Sequence, residues 1–221
     1  MRLTRAFFAR SCLEVAPELI GMLLIHELED GTRLSGRIVE VEAYLGDGSD
    51  AASHAHRGPT PRNRAMFGAP GHFYVYRSMG LHRCVNVVCE PAGRAAAVLL
   101  RAVEPLEGES RMRALRGGRG GRELANGPGK LAQAFAIELA HDGADALRGR
   151  LRIERERGAR RRAICAGPRI GITKAADLPY RFFARDSPHV TRAAQNVRAR
   201  ELRREARAGT RRSAPRILRS R

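Results

Sequence analysis

The stretch "GRIVEVEAYLG", residues 36–46, decides the architecture. Its β-branched residues Ile38, Val39 and Val41 favour a strand, and Gly46 marks a turn at its end. Alternate side chains of a strand share a face. That periodicity predicts Ile38, Glu40, Glu42 and Tyr44 on one face, with Arg37, Val39, Val41 and Ala43 on the other. Two carboxylates and a phenol on one strand face are costly if that face is dry, because an unpaired buried charge loses its hydration. Two readings of Glu42 therefore stand. It is a general base in a cleft, or it belongs to a solvated face and pairs with Arg37 or Arg64.

Working outward, "EVAPELIGMLLIHEL" (14–28) reads as a short helix with Pro17 near its start, then Gly21, then a strand. After the opening strand, residues 45–71 form a long loop rich in Gly, Pro, Ser, Asp, His and Arg, a length usually tied to function. Residues 72–78, 83–90 and 95–105 read as three strands, and 106–116 as a helix followed by the flexible "GGRGGR". "GPGKLAQAFAIE" opens another helix, and "LRIERE", "PRIGIT" and "YRFFAR" read as later short strands. The pattern predicts one α+β domain with a curved, mostly antiparallel sheet over residues 1–192 and an Arg-rich extension over 193–221.

Forty-one Lys plus Arg against 23 Asp plus Glu leave a net charge of +18. Lysine stands only at 130 and 174. Such an excess points to a polyanionic partner, nucleic acid above all. From Thr191 onward there are eleven arginines against Glu201 and Glu205, so half of the excess sits in the extension. That segment has few large apolar residues and reads as solvated, partly helical or disordered; added phosphate affinity and an inert tail are both compatible with it. Cys12, Cys84, Cys89 and Cys165 show no CxxC pairing, which fits a reduced cytosolic setting. No apolar run is long enough to span a membrane, and the N-terminus is too broken by arginine for a signal peptide.

Several residues carry chemistry. Tyr44, Tyr74 and Tyr76 are three of four tyrosines, and either stack on a base or pack in the sheet. His54 and His56 form an HxH pair, but no third ligand stands at metal-site spacing, so no metal is expected and hydrogen bonding to a ligand is favoured. "RGPTPRNR" supplies Arg57, Thr60, Arg62, Asn63 and Arg64, a phosphate-contacting run or a basic surface loop. "ANGPGK" lacks the spacing of a phosphate loop, and no dinucleotide or nucleophile-elbow motif occurs.

Taken together, "VEVEAYLG", "SHAHRGPTPRNRAMFGAPGHFYVY", "CVNVVC", "AAVLLRAVEPLEG" and "LANGPGKLAQAFAI" closely resemble the alkyladenine (3-methyladenine) DNA glycosylase family. "FFARSCLEVAPELIGMLLIHE" and "YRFFARDSPHVT" extend the resemblance over about residues 3–192. It implies a monofunctional base-excision enzyme, without cofactor, that flips a damaged purine from double-stranded DNA and hydrolyses its N-glycosidic bond. In that resemblance Glu42 activates the water, Arg101 holds Glu42 and the water, and Tyr44 and Tyr76 sandwich the base. His54 lines the pocket and Asn86 crowds a guanine amino group. Glu40 has no matched catalytic role and reads as a structural pairing. No lysine lies near the pocket motifs, which argues against Schiff-base lyase chemistry.

Two departures stand out. The loop between Glu42 and His54 is one residue longer than in some members, so Ser53 or His56 could share the histidine's role. Met79 stands where many members carry a wedging tyrosine; methionine is a wedge type without a rigid stacking face. A monomer in a bacterial cytosol, associated with the nucleoid through DNA, is the expected setting. A DNA- or RNA-binding protein without activity is the competing class, but Glu42, Arg101, Tyr44 and Tyr76 are all retained.

Overall fold

The computed structural model describes residues 3–156, 158, 162–193 and 200–201. In chain order these form α1 (Arg5–Phe8), α2 (Cys12–Leu19), β1 (Leu23–Glu27), β2 (Arg33–Tyr44), β3 (Phe73–Ser78), β4 (His82–Cys89) and β5 (Ala96–Glu107). They continue with α3 (Glu109–Leu115), α4 (Pro128–Ala134), β6 (Leu151–Glu154), β7 (Ile164–Gly167), β8 (Arg181–Ala184) and β9 (Arg200–Glu201). The nine strands make one sheet in the order β3-β4-β5-β2-β8-β7-β9, with β1 added beside β2 and β6 beside β1. Every pairing between these strands is antiparallel. The extension beyond Ala193 lies outside the described residues, apart from the two-residue β9 on β7.

The opening strand is the hinge of the sheet. Along one edge β2 pairs first with β1, at Arg33–Arg37, and then with β8, at Glu40–Glu42. Its other edge pairs with β5 from Ser35 to Tyr44, and that ladder slips three times, first between Ser35 and Gly36 and then twice around Glu40. Ile38 opposes Val103 and Glu40 opposes Ala102, so Val39 is an extra residue; Val41 opposes Leu100, so Arg101 is an extra residue on the partner. Such bulges bend the strand and re-aim side chains. Strict alternation is therefore broken. Ile38 joins Val41 and Ala43 in the main core, whereas Val39 joins Ala102, Cys165 and Phe183 in a smaller cluster. The face predicted to hold Ile38 with Glu40, Glu42 and Tyr44 loses Ile38, because the bulge shifts the phase.

The main core fills the helix-bearing face. Val75, Val85, Val87, Val98 and Leu100 from the sheet meet Phe8, Val15, Leu19, Leu131 and Phe135 from the helical segments. Helix α2 starts earlier than its sequence suggests. Ser11 caps it by accepting from the Leu13 N–H, so Pro17 lies inside the helix and not near its start. "PRIGIT" is not a strand. The strand is the preceding Ile164–Gly167, and Pro168, which has no N–H to donate, ends it while its carbonyl accepts from Arg181 Nε.

The turn after β2 is fixed by contact. A Cβ on Gly46 would lie 1.5 Å from the Arg94 carbonyl oxygen. Only glycine lets the chain leaving Tyr44 run this close to the segment entering β5. Gly46→Ala is expected to cost roughly 2 kcal/mol or more, lowering the thermal unfolding midpoint by roughly 4–8 °C; an unchanged midpoint in a thermal melt would contradict the close approach.

Candidate active site

Antiparallel register aligns the second face of the sheet into a row. Tyr74 opposes Asn86, Asn86 opposes Leu99, Leu99 opposes Glu42, and Glu42 opposes Arg181. Residues from five neighbouring strands thus share a line across the sheet. Two apolar clusters flank it along the strands: Ala55, Met66, Val88 and Ala97 on one side, Val39, Ala102 and Phe183 on the other.

Glu42 is fully buried, accepts two hydrogen bonds and is ion-paired with Arg101. Its Oε1 takes the Ile170 N–H at 2.8 Å and Arg101 Nη1 at 3.2 Å, and its Oε2 takes the Tyr44 hydroxyl at 2.9 Å. A carboxylate has about four lone-pair sites, so one direction on Oε2 remains for a further donor. Arg37 and Arg64 do not serve Glu42. Arg37 pairs with Glu104 and Glu156, and Arg64 is exposed on the loop. Burial, then the Glu42 charge and its hydrogen bond, push the Tyr44 hydroxyl well above its ordinary range, which keeps it a donor.

The aromatic residues assemble above this floor. Tyr74 and Tyr76 stack with centroids 5.3 Å apart, and His54 meets Tyr76 edge-on at 4.5 Å. His54 Nδ1 lies 3.0 Å from the Tyr74 hydroxyl. Burial, then Arg62, hold the imidazole below its ordinary range, so the ring is neutral near pH 7. Burial pushes the Tyr74 hydroxyl up to about 12. Among the described residues, Tyr44 makes no ring contact with Tyr76. Asn86 is buried on the same face and donates to the Tyr74 carbonyl at 3.0 Å. Of the three candidates in the lengthened loop, His54 is the one whose side chain reaches the tyrosines. Ser53 Oγ accepts from the Ala55 N–H, and His56 contacts the Gly48 carbonyl.

The basic run divides by role. Asn63 is buried; its amide donates to the His54 and Gly58 carbonyls and accepts from the Thr60 N–H and hydroxyl. Thr60 and Asn63 therefore hold the loop in shape. Arg62 donates to the Arg77 carbonyl at 2.8 Å and lies 5.5 Å from the Tyr76 ring centre. Arg57 and Arg64 are exposed. Met79 sits at the tip of the β3–β4 hairpin, 89% exposed, in a turn closed by the Leu81 N–H on the Ser78 carbonyl. Both central residues have positive φ, Met79 at 50° and Gly80 at 71°, the geometry of a tight hairpin. Leu81, 75% exposed, projects beside Met79.

Sequence reasoning missed the buried pair that braces the site. Arg169 and Asp50 are wholly buried and joined bidentately, at 2.6 and 2.7 Å. Arg169 also donates to the Ala43 carbonyl and lies 4.6 Å from the Tyr44 ring centre. Asp50 in turn accepts from the Leu45 and Ala52 N–H groups, shaping the loop that carries His54. The two residues are 119 positions apart and neither has a local pattern, so no sequence signal joined them. Removing one partner of a buried pair leaves an uncompensated charge, at about 3–5 kcal/mol. Asp50→Asn should lose this in urea unfolding, and Asp50→Leu combined with Arg169→Met should lose less than Asp50→Asn alone. Simple addition of the single losses would refute the coupling.

Among the described residues, no group of three His, Cys, Asp or Glu could hold a metal ion, and no helix is long and apolar enough to cross a membrane. All four cysteines are buried.

The sequence model of the methylpurine-DNA glycosylase family matches residues 6–188. A protein of Rhodopseudomonas palustris is 55% identical over 185 residues, covering 84% of this chain and 85% of its own. One of Nitrobacter winogradskyi is 50% identical over 190 residues (86% and 87%), and one of Carboxydothermus hydrogenoformans 46% identical over 193 residues (87% and 100%). All three bear the name "Putative 3-methyladenine DNA glycosylase".

Proposed function

The chain belongs to the methylpurine-DNA glycosylase family, a family of N-glycosyl hydrolases in DNA repair, and on that premise we propose that it excises 3-methyladenine and other alkylpurines, with hypoxanthine and ethenoadenine as further candidates, from double-stranded DNA. The observation that carries the mechanism is the buried Glu42, held by two hydrogen bonds and the Arg101 ion pair, with an acceptor direction on Oε2 to spare. A water held there has its proton accepted by the carboxylate while its oxygen attacks the anomeric carbon. Arg101, at 3.2 Å, keeps the carboxylate in place. Alkylation at the purine ring gives the leaving base a positive charge, so it departs as a neutral purine with little acid assistance.

The flipped base lies between Tyr44 and Tyr76, with His54 as the polar edge contact and Asn86 on the floor. An aromatic sandwich favours a cationic ring. The neutral imidazole of His54 suits a pocket that must accept positive charge, because a protonated one would repel it. Flipping costs a few kcal/mol and least at damaged pairs; Met79 fills the space left behind as an apolar wedge. Arg57, Arg62 and Arg64 are the exposed cations of the loop for backbone phosphate, with Arg62, Thr60 and Asn63 also shaping it. The reading needs no cofactor, places a monomer on DNA in a bacterial cytosol, and gives residues 1–192 the catalytic role and 193–221 that of an appended basic segment.

Single-turnover excision from duplex DNA bearing hypoxanthine, ethenoadenine or alkylated purines tests this directly. Wild type releases the base and Glu42→Gln loses on the order of 10²–10⁴-fold in rate; equal rates in the two would refute the role of Glu42. The wedge is tested separately. Met79→Tyr adds a rigid stacking face and should raise excision of hypoxanthine more than that of the intrinsically labile 3-methyladenine. The same rate ratio in both proteins would reject the assignment.

A further inference from the structure

Glu40 is as deeply buried as Glu42, two residues before it on the same face, and has acceptor contacts of its own. Arg101 Nε donates to its Oε1 at 3.0 Å, Arg181 Nη1 to the same oxygen at 3.2 Å, and the Thr191 N–H to Oε2 at 2.7 Å. Arg101 is thereby shared. Its Nε faces Glu40 while its Nη1 faces Glu42 at 3.2 Å. A guanidinium is a rigid plane, so fixing Nε fixes where Nη1 points. Arg101 is also the extra residue of a bulge, with no opposing residue on β2, so contacts beyond the strand ladder must set its direction.

We propose that Glu40 is a positioning residue for base excision: its carboxylate turns Arg101 so that Nη1 meets Glu42, and the Thr191 contact ties that orientation to the chain that follows β8. This rests on the glycosylase reading above. The charge balance supports it. Two buried carboxylates face two buried guanidiniums, and Arg181, which lies over Phe183 and donates to the Pro168 carbonyl, offsets the second negative charge. Burial alone would raise Glu40, but Arg101, the Thr191 N–H and Arg181 outweigh it and hold the group below the usual carboxylate range. A salt bridge serving only the fold would not need to share its cation with Glu42.

The test is a double-mutant cycle on DNA alkylated with dimethyl sulfate, reading release of 3-methyladenine at saturating enzyme together with DNA affinity. Glu40→Gln should slow release about 100-fold through misplacement of Arg101, with DNA affinity within about twofold of wild type. Added to Arg101→Gln, it should cause no further loss, because both act through one contact. Additive losses, or a loss confined to affinity, would overturn the proposal. If Glu40→Gln does not fold, Glu40→Asp keeps the charge one methylene short; it should show a smaller loss with the same non-additivity, and additivity would again overturn it. No release by wild type overturns the glycosylase reading, and this inference with it. Release by wild type with additive losses overturns the role of Glu40 alone.

Discussion

The guanidinium of Arg101, held between Glu40 and Glu42, is the interaction around which the sheet is organised. Two carboxylates without solvent exposure on one strand are sustainable only if cations meet them inside the protein. The slips at Val39 and Arg101 supply that meeting by turning Arg101 out of the ladder and onto the face of the two glutamates. The same irregularity lets β2 change neighbours from β1 to β8, and β8 brings Arg181. A regular strand would keep the ladder complete and lose the arrangement of charge.

A second buried pair does comparable work at the strand's exit. Asp50 and Arg169 join the loop that carries His54 to the segment whose Ile170 N–H reaches Glu42, and the guanidinium covers one face of Tyr44. Gly46, pressed against the Arg94 carbonyl, sets where this exit can run. The candidate site is thus held by polar contacts on one face of a sheet whose opposite face is mainly apolar, which gives it a rigid support.

The charge of the chain takes on a different meaning once the fold is known. Many of the arginines are spent internally: Arg5 on Asp145, Arg10 on Glu18, Arg37 on Glu104 and Glu156, Arg152 on Glu27 and Glu154. Those ions stabilise sheet edges and helix contacts. Arg57, Arg62 and Arg64 are exposed on the loop that carries His54.

The sequence by itself determined most of the element order and the antiparallel class, and it nominated the candidate site residues, because strand periodicity, glycine turns and an ordered series of local motifs are all short-range properties. Glu42, Tyr44, Tyr76, Asn86 and Arg101 lie in such motifs, and so were legible. The phase of Ile38, the bulge that aims Arg101, the strand at Ile164–Gly167 and the Asp50–Arg169 brace were decided only by tertiary structure. Each depends on where a distant strand or loop offers a counter-charge, a donor or space, and a buried charge takes whichever partner the fold brings within reach, however far away in the chain it lies.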